Sequence, residues 1–152
     1  MTSEKYTLKQ AKTAKRIIKY FAKFQASVFL MSKGRLWNKW PGGYPIMVVE
    51  TRGAKSNKIR NIPLIYVHQD GMPILVASLG GMPKNPNWYY NVKAHPQLKI
   101  STINGHGNYF AKEVSKEKKD ELWPLICSFY PDYATYQANT EREIPVFLCE
   151  HI

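Results

Sequence analysis

The sequence predicts an α+β fold built on a small barrel. Three observations carry that expectation. Short β segments dominate the chain from Ile46 onward, turn signals separate them, and the intervening helical stretches do not alternate regularly as βαβ units would. The length of 152 residues, with 44% hydrophobic and 13% aromatic content, supplies one compact core.

The first element is a helix. Wound at 100° per residue, residues 5–30 place Lys5, Lys9, Lys12, Arg16, Lys19 and Lys23 on one narrow face. Ala14, Ile17, Ile18, Phe21, Phe24 and Val28 fall opposite. Residues 1–40 hold ten basic groups against one acid, a net +9 of the chain's +11. The charge excess therefore belongs to a basic amphipathic arm, 1–40, and not to a body, 41–152. Such a helix can pack its apolar face on the body, lie on an anionic membrane surface, or act as a nucleic-acid arm. No DNA- or RNA-binding signature follows in the body, so a nucleic-acid partner is not expected.

Gly34 ends the helix, and RLWNKWPGGYP reads as a loop. Ile46–Thr51 is a β candidate, followed by the polar turn RGAKSNK and a second candidate, Asn61–His68. Pro63 within the latter points to a bulge or an edge. Gln69-Asp70-Gly71 leads into Pro73–Ser78 as a hairpin. Asn85-Pro86 opens a short helix through Trp88, Tyr89 and Val92, closing before Pro96. Gln97–Ile103 and Gly107–Val114 flank a second hairpin turn, Asn-Gly-His-Gly. Ser115 caps a helix running to about Phe129, with Pro124 expected to kink or break it. Ile144–Cys149 is a last strand, giving five or six in all.

Several function classes are set aside. No apolar run reaches the roughly 18 residues of a membrane span, and the first residues lack a signal-peptide core. Two cysteines, Cys127 and Cys149, suit neither a disulfide scaffold nor a four-cysteine zinc site, so a reducing, cytoplasmic setting is expected. His68, His95, His106 and His151 stand at no metal-ligand spacing. There is no GxGxxG, P-loop or GxSxG motif.

Three stretches carry chemistry. Arg52, Lys55, Lys58 and Arg60 lie on a Gly-containing turn between strands, which is either a solvated basic hairpin or a cradle for a phosphate or polycarboxylate. Ala77-Ser78-Leu79-Gly80-Gly81 ends a strand in small residues before a helix start, either as a tight connection or as a close backbone approach to a ligand. Both would face one anion if their strands pair as neighbours. Tyr130, Tyr133 and Tyr136 recur at i, i+3 and i+6, close to one helical face. Phenols there can cap a core, the reading that spacing alone favours, or stack on a flat ring and donate a proton.

At these residues the sequence resembles the deazaflavin-dependent nitroreductases, which use the 8-hydroxy-5-deazaflavin coenzyme F-420 and reduce quinones and nitro compounds. The matching strings are VVETRGAKSNKIRNIPLIY, VASLGGMPKNPNWYYNVKAHPQL and ELWPLICSFYPDYATYQANTEREIPVFLCE, in order over most of 46–150. The resemblance implies a split β-barrel related to the flavin-binding split barrels. It implies that Lys55 and Arg60 lie near the coenzyme's phosphate and acidic tail. Ala77, Ser78, Leu79, Gly80 and Gly81 match the segment that meets the coenzyme, and Pro86 and Trp88 the following helix start. Tyr130, Tyr133 and Tyr136 match the aromatic wall where a quinone or nitroaromatic acceptor binds, with Tyr133 as the proton donor.

The basic segment, 5–30, is similar in character to one linked in this family to membrane-associated quinone reduction. A homodimer and peripheral contact with the inner membrane face follow as expectations. The chain departs from the family pattern in the turn GAKSN, where Ala54 replaces an arginine and Asn57 a glycine. In ASLGG, Leu79 replaces a lysine. Two cations are thus missing, which leaves an FMN-dependent relative, or a non-catalytic barrel binding a flat or lipidic ligand, as alternatives.

Overall fold

A computed structural model describes residues 8–152. Helix α1 spans Leu8–Met31, so the predicted start at Lys5 lies outside the described residues. Eight strands follow, more than the five or six expected: β1 Lys39–Trp40, β2 Tyr44–Arg52, β3 Ile59–Ile65, β4 Val67–Gln69, β5 Met72–Val76, β6 Gln97–Thr102, β7 Gly105–Glu113 and β8 Val146–His151. Helix α2 (Asn87–Ala94) sits between β5 and β6, and α3 (Lys116–Phe129) and α4 (Asp132–Ala138) between β7 and β8.

The strands form one antiparallel sheet in the order β1-β2-β6-β7-β8-β5-β4, with β3 also pairing β2. The sheet curls into a half-barrel, in keeping with the split-barrel expectation. The predicted segment Asn61–His68 is two strands, not one. β3 pairs β2 while β4 pairs β5, and Tyr66 between them donates its N–H to the Pro45 carbonyl. The chain turns a barrel corner there. Pro63 sits in β3, whose only partner among the described residues is β2, so its missing N–H faces an edge.

Turn chemistry accounts for two hairpins. Asp70 and Gly71 both have positive φ, 51° and 82°, which is the type I′ geometry that matches strand twist between β4 and β5. The β6–β7 turn is tighter than expected. Ile103 and Asn104 are its central residues, because Thr102 pairs Gly105, and Thr102 Oγ1 accepts from the Asn104 N–H at 3.2 Å.

The apolar run Ile46-Met47-Val48-Val49 in β2 is buried on both faces. Its period of two sends Met47 and Val49 into a core with Leu75, Leu98, Ile100 and Phe147. Ile46 and Val48 face α1, against Ala26 and Phe29. A further core joins β4, β5 and β8 to α3 and α4 through Val67, Ile74, Leu122, Ile126, Tyr133 and Val146. Ser115 caps α3 by accepting from the Lys118 N–H, as predicted. Pro124 does not break α3, which runs 14 residues as a single helix with the proline ring exposed.

Helix α1 docks on the body, but not through the face that hydrophobicity picks out. Gln25, Ala26 and Phe29 are buried, while Ile17, Ile18, Phe21 and Phe24 are 65%, 47%, 44% and 57% exposed. At 100° per residue the docking face is rotated roughly a quarter turn from the apolar one. No described helix is long and apolar enough to cross a membrane.

Candidate active site

Strand β5 ends at Val76, and the Ala77 N–H goes to the Pro145 carbonyl at 2.9 Å. Ser78 is right-handed (φ −75°, ψ −39°), and Leu79, Gly80 and Gly81 are all left-handed, with φ of 45°, 63° and 79°. The Gly81 N–H closes on the Ser78 carbonyl at 2.9 Å, and the Met82 N–H on that of Leu79 at 3.2 Å. The N–H groups of Ser78, Leu79 and Gly80 find no acceptor among the described residues. A right-handed residue followed by left-handed ones turns successive N–H groups into one concavity, which suits an anion. Leu79 holds its conformation against a cost of about 1–2 kcal/mol for an L residue.

Gly81 is obligatory for a second reason. A Cβ there would lie 2.8 Å from the backbone oxygen of Tyr136, so the turn is wedged directly on α4. That contact joins the Ser78–Gly81 segment to the tyrosines. Pro86, buried, precedes α2 in extended conformation (φ −63°, ψ 154°). Trp88 is half-buried and packs on Phe147, ring centroids 6.2 Å apart, as part of the barrel core.

Lys55 and Arg60 are exposed, and neither forms an ion pair among the described residues. Arg60 stands opposite Thr51 on β3. In the turn that carries Lys55, the Gly53 N–H bonds the Lys58 carbonyl at 2.8 Å, and Asn57 is left-handed at φ 60°. Asparagine tolerates that conformation best after glycine, which explains how Asn57 can stand where the family pattern has Gly. The expectation that this turn and Ser78–Gly81 lie on neighbouring strands is incorrect. β5 pairs β4 and β8, whereas β2 and β3 pair each other. Instead both flank α2: Ser78–Gly81 leads to its start, and the Ala54 N–H donates to Asn91 Oδ1 at 3.0 Å.

The tyrosines do not share one helix, because Tyr130 caps the end of α3 while Tyr133 and Tyr136 belong to α4. They nevertheless meet. Tyr130 and Tyr133 ring centroids are 4.9 Å apart, Tyr130 and Tyr136 6.1 Å, and Tyr133 and Tyr136 6.2 Å. The Tyr130 and Tyr136 hydroxyls are hydrogen-bonded at 3.2 Å. Tyr130 and Tyr133 are both 5% exposed and part of the α3–α4 core, in line with the core-capping reading that spacing favours. Burial pushes both phenols well above their ordinary pKa, helped at Tyr130 by the Tyr136 hydroxyl. Each therefore keeps its proton at neutral pH. Tyr44, which sequence reasoning did not single out, stands edge-on to Tyr130 at 4.9 Å.

Arg142 was missed as well. Its Nε donates to the Met82 carbonyl at 2.9 Å and one terminal nitrogen to Asn85 Oδ1 at 2.7 Å. The other donates to the carbonyls of Ala77 and Ser78, at 3.2 and 2.8 Å. These partners lie 57–65 residues away in sequence, so no local pattern could mark them. Gln137 of α4 donates to the Arg142 carbonyl at 2.9 Å, and its Oε1 accepts from the Ile144 N–H and from the buried Lys119 ammonium. Lys119 also pairs Glu143 at 2.7 Å.

Comparison with known proteins decides the family. Residues 22–151 match the model of the F-420H(2)-dependent quinone reductase family. The chain belongs to the F-420H(2)-dependent quinone reductases. A member of that name from Mycobacterium tuberculosis is 32% identical over 123 residues, 79% of this chain and 83% of the relative. A solved F-420-H2 dependent reductase is 43% identical, with a TM-score of 0.66, covering 70% of this chain and 94% of its own. A second solved structure, described as a domain-swapped dimer, is 35% identical with a TM-score of 0.66, covering 91% and 95%. Membership makes reduced coenzyme F-420 the hydride donor and a quinone the acceptor of this oxidoreductase. The unpartnered N–H groups of the Ser78–Gly81 turn, packed against Tyr136 of the aromatic cluster, suit an anionic, flat-ringed coenzyme.

The carboxyl of Glu143 is held below its ordinary range by the hydrogen bond from Lys119, then by that from Lys116. A lowered acid stabilises the fold above its unfolded pKa and loses that contribution as pH falls through the folded value. The melting-temperature gap between the native protein and Glu143→Gln should therefore be full at neutral pH. It should shrink once the pH drops below about 4.5, which thermal scans from neutral to acid pH would read.

Proposed function

We propose that Lys55, Arg60 and the backbone of Ser78–Gly81 hold the anionic groups of F-420, with Pro86 and Trp88 fixing the adjoining helix. Tyr130, Tyr133 and Tyr136, joined by Tyr44, form the wall against which a flat acceptor lies. The observation that carries this is the wedge of Gly81 on Tyr136, which sets an anion-seeking turn directly against the aromatic cluster.

Bound in reduced form, the coenzyme supplies a hydride. The chain must then hold the acceptor close, keep water away and provide one proton. Hydride addition to a quinone leaves an oxyanion that takes up a proton. Tyr133 is the proposed source. Its ring is buried, and burial raises its pKa, so the phenol stays protonated until an acceptor oxygen lies against it. A nitroaromatic ring meets the same geometric demands as a quinone, and we extend the acceptor class to it.

The exposed stretch of α1, within the basic segment 1–40, is proposed to rest on an anionic lipid surface. Ile17, Phe21 and Phe24 are exposed, and Lys12, Lys15, Arg16, Lys19 and Lys23 are exposed with no ion pair among the described residues. This pairing of apolar and cationic faces matches a bilayer interface rather than a protein core. The likeness to a domain-swapped dimer supports a homodimer for this chain too.

Three measurements test these assignments. Tyr133→Phe should lower kcat by about 100-fold or more while fluorescence titration shows F-420 binding preserved. Unchanged turnover removes Tyr133 as donor. Phe21→Ser/Phe24→Ser should abolish sedimentation with anionic vesicles, and absence of native binding to such vesicles rejects the lipid assignment. Light scattering should give twice the chain mass, and a monomer at all concentrations rejects the dimer.

A further inference from the structure

We propose that Arg142 is a positioning residue for the coenzyme, acting through the backbone of Ser78 and Leu79. The inference rests on the reading that the Ser78–Gly81 turn holds F-420.

A trans peptide unit points its C=O and N–H in opposite directions. Arg142 grips the carbonyls of Ala77 and Ser78, which belong to the peptide units that carry the N–H groups of Ser78 and Leu79. Those are two of the N–H groups left without an acceptor. Fixing both carbonyls on the Arg142 side therefore turns both N–H groups outward, away from the guanidinium. A cation bonded to a carbonyl also polarises its peptide unit, making the N–H a better donor. No carboxylate pairs with Arg142 among the described residues, so its charge acts on these peptide units unopposed by a counter-ion.

The same grip explains the conformation of Leu79. A left-handed leucine persists only where its surroundings over-determine it. Arg142 clamps the chain on both sides of it, at Ser78 and at Met82. Gln137 ties the Arg142 backbone to α4, the helix that carries Tyr133 and Tyr136. The turn is thus held in register with the aromatic wall. This device supplies directed donors in a chain that has Leu79 and Ala54 where its relatives' pattern has cations.

The test combines two readings. Amide resonances of Ser78, Leu79 and Gly80 are followed in isotopically labelled protein with and without oxidised F-420. Dissociation constants and steady-state kinetics are compared for the native protein, Arg142→Gln and Arg142→Lys. The three amides should shift on binding. Arg142→Gln should weaken binding roughly tenfold or more, with Arg142→Lys intermediate. KM for the coenzyme should rise in both while kcat at saturation stays within about twofold of native.

Native amides that shift, with folded variants that bind as tightly as native, overturn the role of Arg142 and leave the turn as the coenzyme site. Loss of kcat together with melting temperature, with no selective rise in KM, makes Arg142 merely structural and also overturns it. Native amides that do not shift on binding remove the turn from the site, and the proposal with it. If the glutamine variant does not fold, the lysine variant decides alone, since it keeps the charge without the planar fork.

Discussion

The backbone of Tyr136 fills the space that a side chain at position 81 would need. This contact governs the geometry of the candidate site, because it is where the β5–α2 connection meets α4. Left-handed φ at Gly81 lets the chain pass, and the missing Cβ lets it pass close. The position of α4 is fixed in turn. Gln137 Oε1 accepts from Ile144 at 3.0 Å and from Lys119 at 2.6 Å, locking the helix to the start of β8 and to α3. Lys119 can be buried there because Glu143 balances its charge and the Trp123 face lies 4.8 Å from its ammonium. A polar cluster of α3, α4 and the β8 approach therefore holds the tyrosines in place.

Much of the fold was legible where the chain itself carries the instruction. Ser115 announces α3, Asp70-Gly71 announces a type I′ hairpin, and Pro86 and Pro96 bracket α2. What was not legible depends on partners far along the chain. The two-residue β1 exists only because Lys39 and Trp40 find Pro45 and Tyr44. Asn61–His68 splits into two strands because the half-barrel closes on either side of it. Pro124 leaves α3 intact because tertiary packing of Leu122 and Ile126 outweighs one lost hydrogen bond. The site residues followed the same rule. The turn and tyrosine motifs could be read from their composition. Arg142 stands in the string TEREIPVFLCE that carries the family resemblance, but its partners, 57–65 residues away, could not be read from it.

The departures from the family pattern have distinct physical consequences. Asn57 keeps the left-handed conformation at φ 60° that a glycine would adopt, so the basic turn retains its shape. Ala54 loses a side-chain cation but keeps its backbone N–H bonded to Asn91, so the turn remains tied to α2. Leu79 gives up a charge but not a conformation, since the lysine it replaces would carry the same left-handed strain. A branched side chain at φ 45° gains nothing locally. Its tolerance must come from the clamps around it, and the densest of these is the Arg142 guanidinium.

Helix α1 shows how exposed apolar surface can coexist with a well-packed body. Its anchorage comes from Ala26 and Phe29 against Ile46 and Val48, and from Gln25, which donates to the carbonyls of Trp37 and Lys39 at 3.4 Å. These contacts suffice to dock the end of the helix, so Ile17, Phe21 and Phe24 are free of that task. The two phenylalanine rings are not isolated. Phe24 meets Trp37 at 5.2 Å, and Phe21 meets Trp37 at 5.8 Å and Trp40 at 6.5 Å. Trp40 pairs with Tyr44 across β1 and β2, and Tyr44 stands edge-on to Tyr130. Phe21, Phe24, Trp37 and Trp40 therefore form one aromatic cluster between α1 and β1, and Trp40 is the register partner of Tyr44, whose ring meets Tyr130. The docking of α1 helps to place this cluster, because the bonds from Gln25 hold Trp37 and Lys39 beside the helix, next to Trp40.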